Sequence, residues 1–380
     1  MPTVTKTIGS GGGRDHATIL LWDAGLDDAS EYNADDDAVG ECYDDSDFDM
    51  NGDFTLDGGD LDDGSGDLAT VRLTVAEGHR HDGTAGTGVR GYTSTTAYWR
   101  WYPIALHAIA SADGPYDLII EWIDFDGSNE GSGKQMFNLN SQTAGSHAVC
   151  CLRNCLIHNT ETRWVNATTY DVALLNNIFY ACGINKNSSE TIAIYKRGYR
   201  HSAYTYNNTF HYTRSGSTSA GAKIQAYRHI YTYSETRIKN NLSTGHELPN
   251  SSSTAIYGFY AIASKTPFSN TTRYSHNAGD DSSCIDIMLE GTVGSSLCFS
   301  GVVPSDIYVS STYGSEDLKL KENTGSGPNV IGSGTDLGND KNINYDITGY
   351  DRDDATTWDI GADQFVADTT VGASFAMFVD

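Results

Sequence analysis

The sequence predicts an all-β protein folded as a single-stranded parallel β-helix, a solenoid whose short strands stack from coil to coil. Three observations predict this fold class. A turn of two asparagines recurs at Asn176-Asn177, Asn207-Asn208 and Asn240-Asn241, each time after a short run that is mostly apolar or aromatic. These pairs are 31 (208−177) and 33 (241−208) residues apart, a spacing typical of one solenoid coil. The composition, with 40 Gly and 23 Tyr and no sustained helical apolar period, favours strands joined by many turns.

The second asparagine of each pair sets a register for neighbouring coils. In this register Asn154 and Asn277 join the series, and Ile123 occupies the same position one coil earlier. Residues two positions further on would share one strand face, and these are Phe125, Leu156, Phe179 and Phe210. Asparagine suits the turn because it tolerates a left-handed backbone and because stacked amides can hydrogen-bond between coils. We therefore expect four side chains to stack in register: Asn154, Asn177, Asn208 and Asn241.

The N-terminal region is expected to close the first coil. A short capping helix is predicted over His16–Leu26, with Asp15 as its N-cap. Such a helix would cover the open end that every solenoid must protect. The first strands are predicted at Val39–Tyr43, Phe54–Leu56 and Ala69–Val75. The chain then divides into a cap with first coils (residues 1–117), the β-helix (118–365) and an apolar tail (366–380), which we expect to pack on the helix end or on another subunit.

Charge is distributed unevenly along this acidic chain, whose net charge is −26. Residues 15–67 hold 19 acidic side chains and no Lys or Arg, whereas residues 134–241 hold 12 basic against 4 acidic side chains, a local +8. The acidic ends make nucleic acid an improbable partner, and the basic middle suits an anionic glycan or the acidic end of a neighbouring copy. No apolar run of about 18 residues spans a membrane, and no signal segment opens the chain, so we expect synthesis in a host cytoplasm.

A calcium-loop pattern lies in the acidic segment. Oxygen ligands stand at Asp47, Asp49, Asn51 and Asp53, with Gly52 at the sixth position of the pattern. Gly58 occupies the twelfth position, where such loops carry a bidentate Glu. The pattern leaves two interpretations: a Ca²⁺ site, or a solvated acidic turn between strands.

A second repeat places aromatic and cationic residues at equivalent positions of two coils. It comprises Tyr199, Arg200 and His201, and then Tyr227, Arg228 and His229. Aromatic faces beside cations can bind sugar rings and carboxylates. The alternatives are ladders that hold the solenoid together, or a contact between subunits. The seven cysteines show no zinc-ligand spacing and are expected to be buried thiols.

Both ends of the chain resemble a known family. The opening, Ile8-Gly9-Ser10-Gly11-Gly12-Gly13-Arg14-Asp15-His16 with Trp22, and the closing stretches Asp317–Lys321, Asp346–Arg352 and Asp359–Phe365, the last with Asp-Ile-Gly-Ala, carry the resemblance. They resemble right-handed parallel β-helix proteins of the pectin-lyase-like superfamily, common in tailed phages and prophages. The resemblance implies a right-handed helix that ends in a closing coil, and commonly a homotrimer.

The resemblance leaves two function classes. Enzymes of the superfamily would use calcium-binding Asp residues with an Arg base, or a pair of carboxylates. Residues 134–241 hold only four carboxylates, Glu161, Asp171, Glu190 and Glu235, while Asp124 and Asp126 fit a solvated strand edge, so we assign no catalytic residue. We expect a structural virion protein (capsid decoration, fibre or spike) that binds other virion proteins and contacts anionic surface polysaccharide. The alternative is a polysaccharide depolymerase, a lyase or a glycoside hydrolase.

Overall fold

The structure is a computed structural model. It describes residues 2–49, 54–57, 68–92, 99–102, 118–128, 135–139, 149–160, 163–167, 171–183, 190–197, 203–214, 223–230, 236–247, 255–262, 274–280, 298–323, 325–338 and 343–366.

Short strands dominate the described chain. In chain order they are β1 (Thr3–Ile8), β2 (Asp37–Cys42), β3 (Phe48–Asp49), β4 (Phe54–Asp57), β5 (Thr70–Val75), β6 (Arg90–Tyr92), β7 (Trp99–Tyr102), β8 (Leu118–Glu121), β9 (Asp124–Asp126), β10 (Gln135–Leu139), β11 (Val149–Arg153), β12 (Leu156–Thr160), β13 (Arg163–Ala167), β14 (Asp171–Leu175), β15 (Ile178–Cys182), β16 (Glu190–Arg197), β17 (Ala203–Tyr206), β18 (Thr209–Thr213), β19 (Lys223–Ile230), β20 (Thr236–Lys239), β21 (Leu242–Thr244), β22 (Ala255–Ile262), β23 (Tyr274–Ser275), β24 (Ala278–Gly279), β25 (Tyr308–Ser310) and β26 (Asp317–Leu320). Two short helices, α1 (Ile19–Gly25) and α2 (Pro304–Ile307), complete the regular elements together with a 3-10 turn at Arg352–Asp354.

The strands form three parallel sheets, which confirms the predicted parallel β-helix. Sheet A has the order β1-β2-β5-β8-β11-β14-β17-β20-β23, sheet B β3-β6-β9-β12-β15-β18-β21-β24, and sheet C β4-β7-β10-β13-β16-β19-β22. From β2 onward the chain visits A, B and C in turn, so that each coil pairs with the coils before and after it. Sheet A continues across the boundary that was predicted after residue 117, because Val71 in β5 pairs with Leu118 in β8.

The turn between sheets A and B carries the asparagine ladder. The second asparagines stack as predicted: the Asn177 side-chain amide donates to Asn208 Oδ1 (3.0 Å), Asn208 to Asn241 (3.0 Å), and Asn241 to Asn277 (2.9 Å). All four side chains are buried, and each also donates to a backbone carbonyl of the preceding coil (2.8–2.9 Å). The ladder therefore fixes the coil-to-coil register from one edge of the helix.

The predicted place of Asn154 in this ladder is wrong by one residue. Asn154 has a left-handed backbone (φ 53°), as Asn176 (55°) and Asn207 (53°) do, so it matches the first asparagine of each pair. Cys155 takes the ladder position and donates its backbone N–H to Asn177 Oδ1 (3.0 Å). The same one-residue error changes which residues of β12 face the interior.

Strand pairing shows which side chains share the sheet B interior. Phe125 aligns with Ile157, Ile157 with Phe179, and Phe179 with Phe210, so Ile157 replaces the predicted Leu156. The Phe179 and Phe210 rings stack with centroids 5.3 Å apart. Rings from sheet C meet this column, because Trp164 lies 5.3 Å from Phe179. Burying a side chain of this size contributes about 2–3 kcal/mol, and the column forms the axis of the inner core.

The capping helix is shorter than predicted. It begins at Ile19 rather than His16, because Thr18 is the N-cap and accepts a hydrogen bond from Leu21 N (3.2 Å). Asp15 instead accepts from the backbone and hydroxyl of Thr7 (2.8 and 2.9 Å). Trp22 is fully buried against sheet A, where a Cβ at Gly40 would lie 2.6 Å from its ring. Only glycine at position 40 lets the helix lie this close to the first strands.

The C-terminal region differs from the expected closing coil. The described parts of residues 298–366, here called the strap, hold α2, the antiparallel pair β25–β26 and the 3-10 turn. Phe299 still pairs with Ala278 of sheet B, and from Val302 onward the buried apolar residues pack against the outside of the coils. Apolar residues on the outer face of sheet B, such as Leu156, Ile178 and Leu242, pack there against Ile347 and Ile360. Exposing so apolar a face to water would be unfavourable, and the strap buries it. The contact between them forms a second hydrophobic core outside the coils.

The strap crosses several coils more than once. Asn240 Nδ2 donates to Thr335 O (2.8 Å), and Asn154 Nδ2 donates to Asp346 O (2.7 Å). Further back along the coils, Lys319 Nζ lies 3.6 Å from Asp82 Oδ2. The side chains of the left-handed turn positions thus hold the strap on the helix. Residues 367–380, most of the predicted apolar tail, lie outside the described chain.

The described cysteines agree with the prediction. Cys42, Cys150, Cys151, Cys155, Cys182 and Cys298 are buried free thiols. Within the described residues, no helix combines the length and apolarity needed to cross a bilayer.

Candidate functional site

A cleft of about 490 Å³ opens where early coils of sheet A meet the strap. The coils contribute Arg72, Glu77, Arg80, Glu121, Trp122, Arg153 and Asn154, and the strap contributes Asn344, Tyr345 and Gly349. Three arginines against two glutamates give the cleft a formal charge of +1 (3−2) within a chain of −26. The cleft is therefore a local cationic site on an acidic protein.

Glu121 lies at the closed side of the cleft and is 1% exposed. Its Oε1 accepts from Arg72 Nε (2.7 Å) and from Thr74 Oγ1 (2.7 Å), and its Oε2 accepts from Arg153 Nε (2.5 Å). Burial alone would raise the pKa of Glu121, but Arg153, Arg72 and Thr74 together hold that pKa below its ordinary value. Strand register creates this arrangement, since Glu121 pairs with Arg153 on the next coil. Glu121 is thus an ionised anchor for two arginines and has no proton to give at neutral pH.

Arg80 has a different environment from the other two arginines. Its guanidinium carbon lies 4.5 Å from the Trp122 ring centroid, and its Nε donates to Val75 O (3.3 Å). No carboxylate of the described residues pairs with it in the structure. Trp122 is nearly buried and has a left-handed backbone (φ 66°), at the turn position that later coils fill with asparagine. The turn thereby places a cation stacked on an indole at the mouth of the cleft.

The strap forms the opposite wall. Tyr345 is 53% exposed, one of the most exposed large aromatic side chains in the described chain. Its carbonyl accepts from Asn176 Nδ2 (2.6 Å) and from Asn154 Nδ2 (3.3 Å), so the turn asparagines of two coils fix its backbone. The cleft can therefore offer both a cation and an aromatic face to one ligand.

A second polar cluster lies on the outer side of sheet B. His158 Nε2 lies 2.7 Å from Asp124 Oδ1, and His158 Nδ1 lies 2.8 Å from Asn159 Nδ2 and 3.8 Å from Asp126 Oδ1. Arg90 donates to Asp126 Oδ2 (2.5 Å). Asp124 and Asp126 are buried, at 0% and 7% exposure, which corrects the expected solvated strand edge. Every member of this cluster is engaged by another, which favours a structural role.

Ser243 and His246 are 2.8 Å apart, a separation also found in hydrolase dyads. The backbone N–H of Thr213 donates to His246 Nδ1 (3.1 Å), so the remaining ring proton lies on Nε2. Nε2 therefore donates to Ser243 Oγ and cannot take the hydroxyl proton. This pair stabilises the coil and does not activate a nucleophile.

The predicted aromatic–cation repeat is described only in part. Tyr199, Arg200 and His201 lie outside the described residues, and of His229 only the backbone is described. Tyr227 is 1% exposed and points into the core. Arg228, the next residue of the strand, points to the opposite face, so a ligand at Arg228 would not reach Tyr227. The Arg228 and Arg163 guanidinium carbons lie 5.6 and 5.0 Å from the Tyr195 ring centroid. Strand pairing aligns Tyr227, Arg228 and His229 with Ile194, Tyr195 and Lys196 of the preceding coil, which are not members of the predicted repeat. Ligand binding at Arg228 stays a prediction.

Half of the predicted calcium loop is described. Asp47 is exposed and lies 3.4 Å from Arg90 Nη1, and Asp49 ends β3. Asn51, Asp53 and Gly58 lie outside the described chain. In the part of the chain that is described, no three His, Cys, Asp or Glu side chains are grouped to hold a metal ion. Calcium binding at this loop stays a prediction.

Sequence reasoning missed the cleft. The coil half had a readable signal, because Glu121 and Arg153 are 32 residues apart (153−121) at the ends of paired strands. The strap half had none, since Tyr345 reaches the cleft across nearly two hundred residues without any repeat. Comparisons with protein-family models, with curated proteins and with solved structures found no match.

Proposed function

We propose that this protein is a structural component of a virus particle of the tailed-phage type, as a capsid decoration protein, fibre or spike, that contacts surface glycans. The β-helix fold and the resemblance of the opening and closing stretches to pectin-lyase-like phage proteins support the particle assignment. The observation that carries a binding role rather than a catalytic one is the state of Glu121. This carboxylate is buried, ionised and held by Arg72 and Arg153.

A depolymerase is the second candidate, because the 490 Å³ cleft places a glutamate among arginines. Glycoside cleavage by paired carboxylates needs one that donates a proton. Glu121 is held in the ionised form, and Glu77, the other glutamate of the cleft, is exposed at its rim. The geometry of the described cleft therefore favours binding over hydrolysis by paired carboxylates.

Particle composition tests the proposal. Mass spectrometry of purified particles from cells that encode this chain should find it in stoichiometric amounts: hundreds of copies for a capsid component, or at most a few dozen for a fibre or spike. Its absence from particles would contradict the proposal. Release of reducing ends, or of unsaturated products, from host surface polysaccharide would support the depolymerase instead.

The proposed assembly is a homotrimer that also binds other virion proteins. Identical chains usually form closed symmetric oligomers, and the contrast between acidic ends and a basic middle steers copies towards one another. Sedimentation equilibrium of the full chain should give three times the 41.1 kDa chain mass. A monomer at micromolar concentration would contradict the trimer and leave the particle assignment open to its own test.

A further inference from the structure

We infer that the cleft binds the carboxylate of an acidic sugar, with Arg80 as the charged contact and Tyr345 as the platform for the sugar ring. This inference rests on the proposed glycan contact and names the class of sugar it selects. It concerns residues other than those of the predicted aromatic–cation repeat.

The three arginines of the cleft divide into two kinds. Arg72 and Arg153 direct their guanidinium groups at Glu121, which neutralises one of their two charges. Arg80 makes one hydrogen bond within the described chain, from Nε to the Val75 carbonyl, and stacks on Trp122. A guanidinium group has five N–H donors in one plane, and stacking on an indole leaves the edge of that plane open to a ligand. Arg80 is therefore the arginine that can offer a two-pronged contact to an incoming carboxylate.

The charge of the cleft selects a singly charged anion. Its formal +1 matches one carboxylate, whereas a phosphate dianion would exceed that charge and would also face Glu121 and Glu77. The rest of the molecule is strongly acidic, at −26, and repels anions in general. A carboxylate bound at Arg80 thus gains from a short-range contact rather than from the field of the whole protein.

Tyr345 explains why the anion should be part of a sugar. Its ring is half exposed at the rim of the cleft, while its backbone is tied to Asn176 and Asn154 (2.6 and 3.3 Å). A fixed and exposed aromatic face is the usual partner of the C–H face of a pyranose ring. Tyr345 and Arg80 both line the cleft, whose 490 Å³ is large enough for one or two sugar residues.

Binding of simple sugar acids tests the inference on the full chain. The probes are glucuronate, galacturonate and N-acetylneuraminate, each compared with a neutral counterpart (glucose, galactose and carboxyl-reduced N-acetylneuraminate). Affinities are measured by ligand-observed NMR titration at low salt. We expect at least one acid to bind about tenfold more tightly than its neutral counterpart, and Arg80→Gln to remove that difference.

Arg14→Gln is the matched control. Arg14 also stacks on an aromatic ring, 3.3 Å from the Tyr43 centroid, but it pairs with Asp45 and lies outside the cleft. This variant should keep the full preference for the acid. Tyr345→Ala changes an exposed side chain and should lower the affinities for the acid and for the neutral sugar by the same factor. This variant keeps the test valid if Arg80→Gln does not fold.

The outcomes separate this inference from the proposed function. Equal affinity for acid and neutral sugars in all three pairs, or no binding of any acid, would overturn the inference. A preference for the acid that survives Arg80→Gln in a folded protein would also overturn it. Neutral glycan binding with no acid preference would leave the proposed glycan contact standing, whereas particle composition tests the virion assignment independently.

Discussion

The two asparagines of each turn perform different tasks. Asn207 adopts a left-handed backbone (φ 53°), and both polar atoms of its buried amide lack hydrogen-bond partners among the described residues. Asn208 places its amide in the ladder, where it donates to the Leu174 and Tyr206 carbonyls and accepts from Asn177. The left-handed backbone favours asparagine at the first position, and at Asn154, Asn176 and Asn240 the side chain of that position also binds the strap. At the second position the side chain builds the ladder.

The same substitution at the two neighbours should therefore lower stability by very different amounts. Asn208→Gly removes the ladder amide and leaves buried backbone groups of the adjacent coil unpaired, which should lower the free energy of unfolding by about 2–4 kcal/mol. Glycine at position 207 suits the left-handed backbone, so Asn207→Gly should change the free energy of unfolding by less than about 1 kcal/mol. Urea denaturation of both variants measures the difference. Equal destabilisation by the two substitutions would show that the ladder does not depend on the second asparagine.

A buried histidine makes stability depend on pH. Burial, followed by the neighbouring His246, lowers the pKa of His211 to about 4 from its ordinary 6.5. His211 lies among hydrogen-bonding neighbours that suit the neutral ring: the Thr244 hydroxyl at Nδ1 (3.0 Å) and the Ser311 carbonyl at Nε2 (3.4 Å). Between pH 6.5 and 4 the unfolded chain binds a proton that the folded chain does not. The stabilising effect of neutral His211 is therefore present above pH 6.5 and is lost as the pH falls towards 4.

This effect should be on the order of 3 kcal/mol over that window. Unfolding free energies measured at intervals between pH 6.5 and 4 should fall more steeply in the wild type than in His211→Gln. The difference between the two slopes isolates His211 from the carboxylates that titrate over the same range. Parallel slopes would contradict the assignment of His211 as a buried neutral ring.

The register error at Asn154 shows what a repeat alone can predict at this scale. In Arg153-Asn154-Cys155 only one asparagine is present, and it can occupy either position of the turn. Leu156 and Ile157 are both apolar and both buried, so hydrophobicity does not identify the inward strand face. The structure resolves the ambiguity because the outer face of sheet B is itself a core, covered by the strap.

At the scale of elements, the strap is organised around a buried arginine. Arg352 is fully buried, and its Nη2 donates to the carbonyls of Gly361 (2.9 Å) and Ala362 (2.8 Å). Asp346 forms the neighbouring turn by accepting from the N–H groups of Thr348 (2.8 Å) and Tyr350 (2.9 Å). These bonds give an irregular segment the backbone partners that a strand would find in a sheet.

Removing the arginine should loosen the strap from the coils. Arg352→Met fills similar space but leaves the Gly361 and Ala362 carbonyls without their donor, which should cost about 3 kcal/mol. Arg14→Met removes a partly exposed arginine paired with Asp45 and should cost less than about 1 kcal/mol. In limited proteolysis of Arg352→Met, cleavage within residues 298–366 should occur much earlier in time than cleavage within the coils. Equal proteolytic resistance of wild type and Arg352→Met would contradict this organisation.

The strap also marks the limit of sequence prediction for this molecule. The coils repeat, so the Asn ladder and the alternating strands predicted the β-helix. The strap has no period, and its contacts link residues such as Asn154 and Asp346 that are 192 positions apart. The closing coil expected over residues 317–365 did not predict this path along the outside of the coils.

At the scale of the whole molecule, the coils and the strap make one body. The inner core runs through the coils, and two outer clusters join sheet B and the sheet A strands β11, β14 and β17 to the strap. The cleft lies where the early coils of sheet A meet the strap, so its arginines come from the repeat and its exposed tyrosine comes from the irregular segment. The proposed ligand site therefore exists only if the strap returns to the early coils.

A zero-length cross-link tests this central claim most directly. Carbodiimide joins a lysine to a carboxylate in contact with it, and Lys319 Nζ lies 3.6 Å from Asp82 Oδ2 and 3.8 Å from Asp317 Oδ2. Mass spectrometry of the treated protein, at a concentration where cross-links between molecules are absent, should identify a Lys319–Asp82 linkage beside the local Lys319–Asp317 product. The contradicting result is a Lys319–Asp317 product together with a linkage from Lys319 to a coil other than that of Asp82. It would contradict the path of the strap, and with it the cleft.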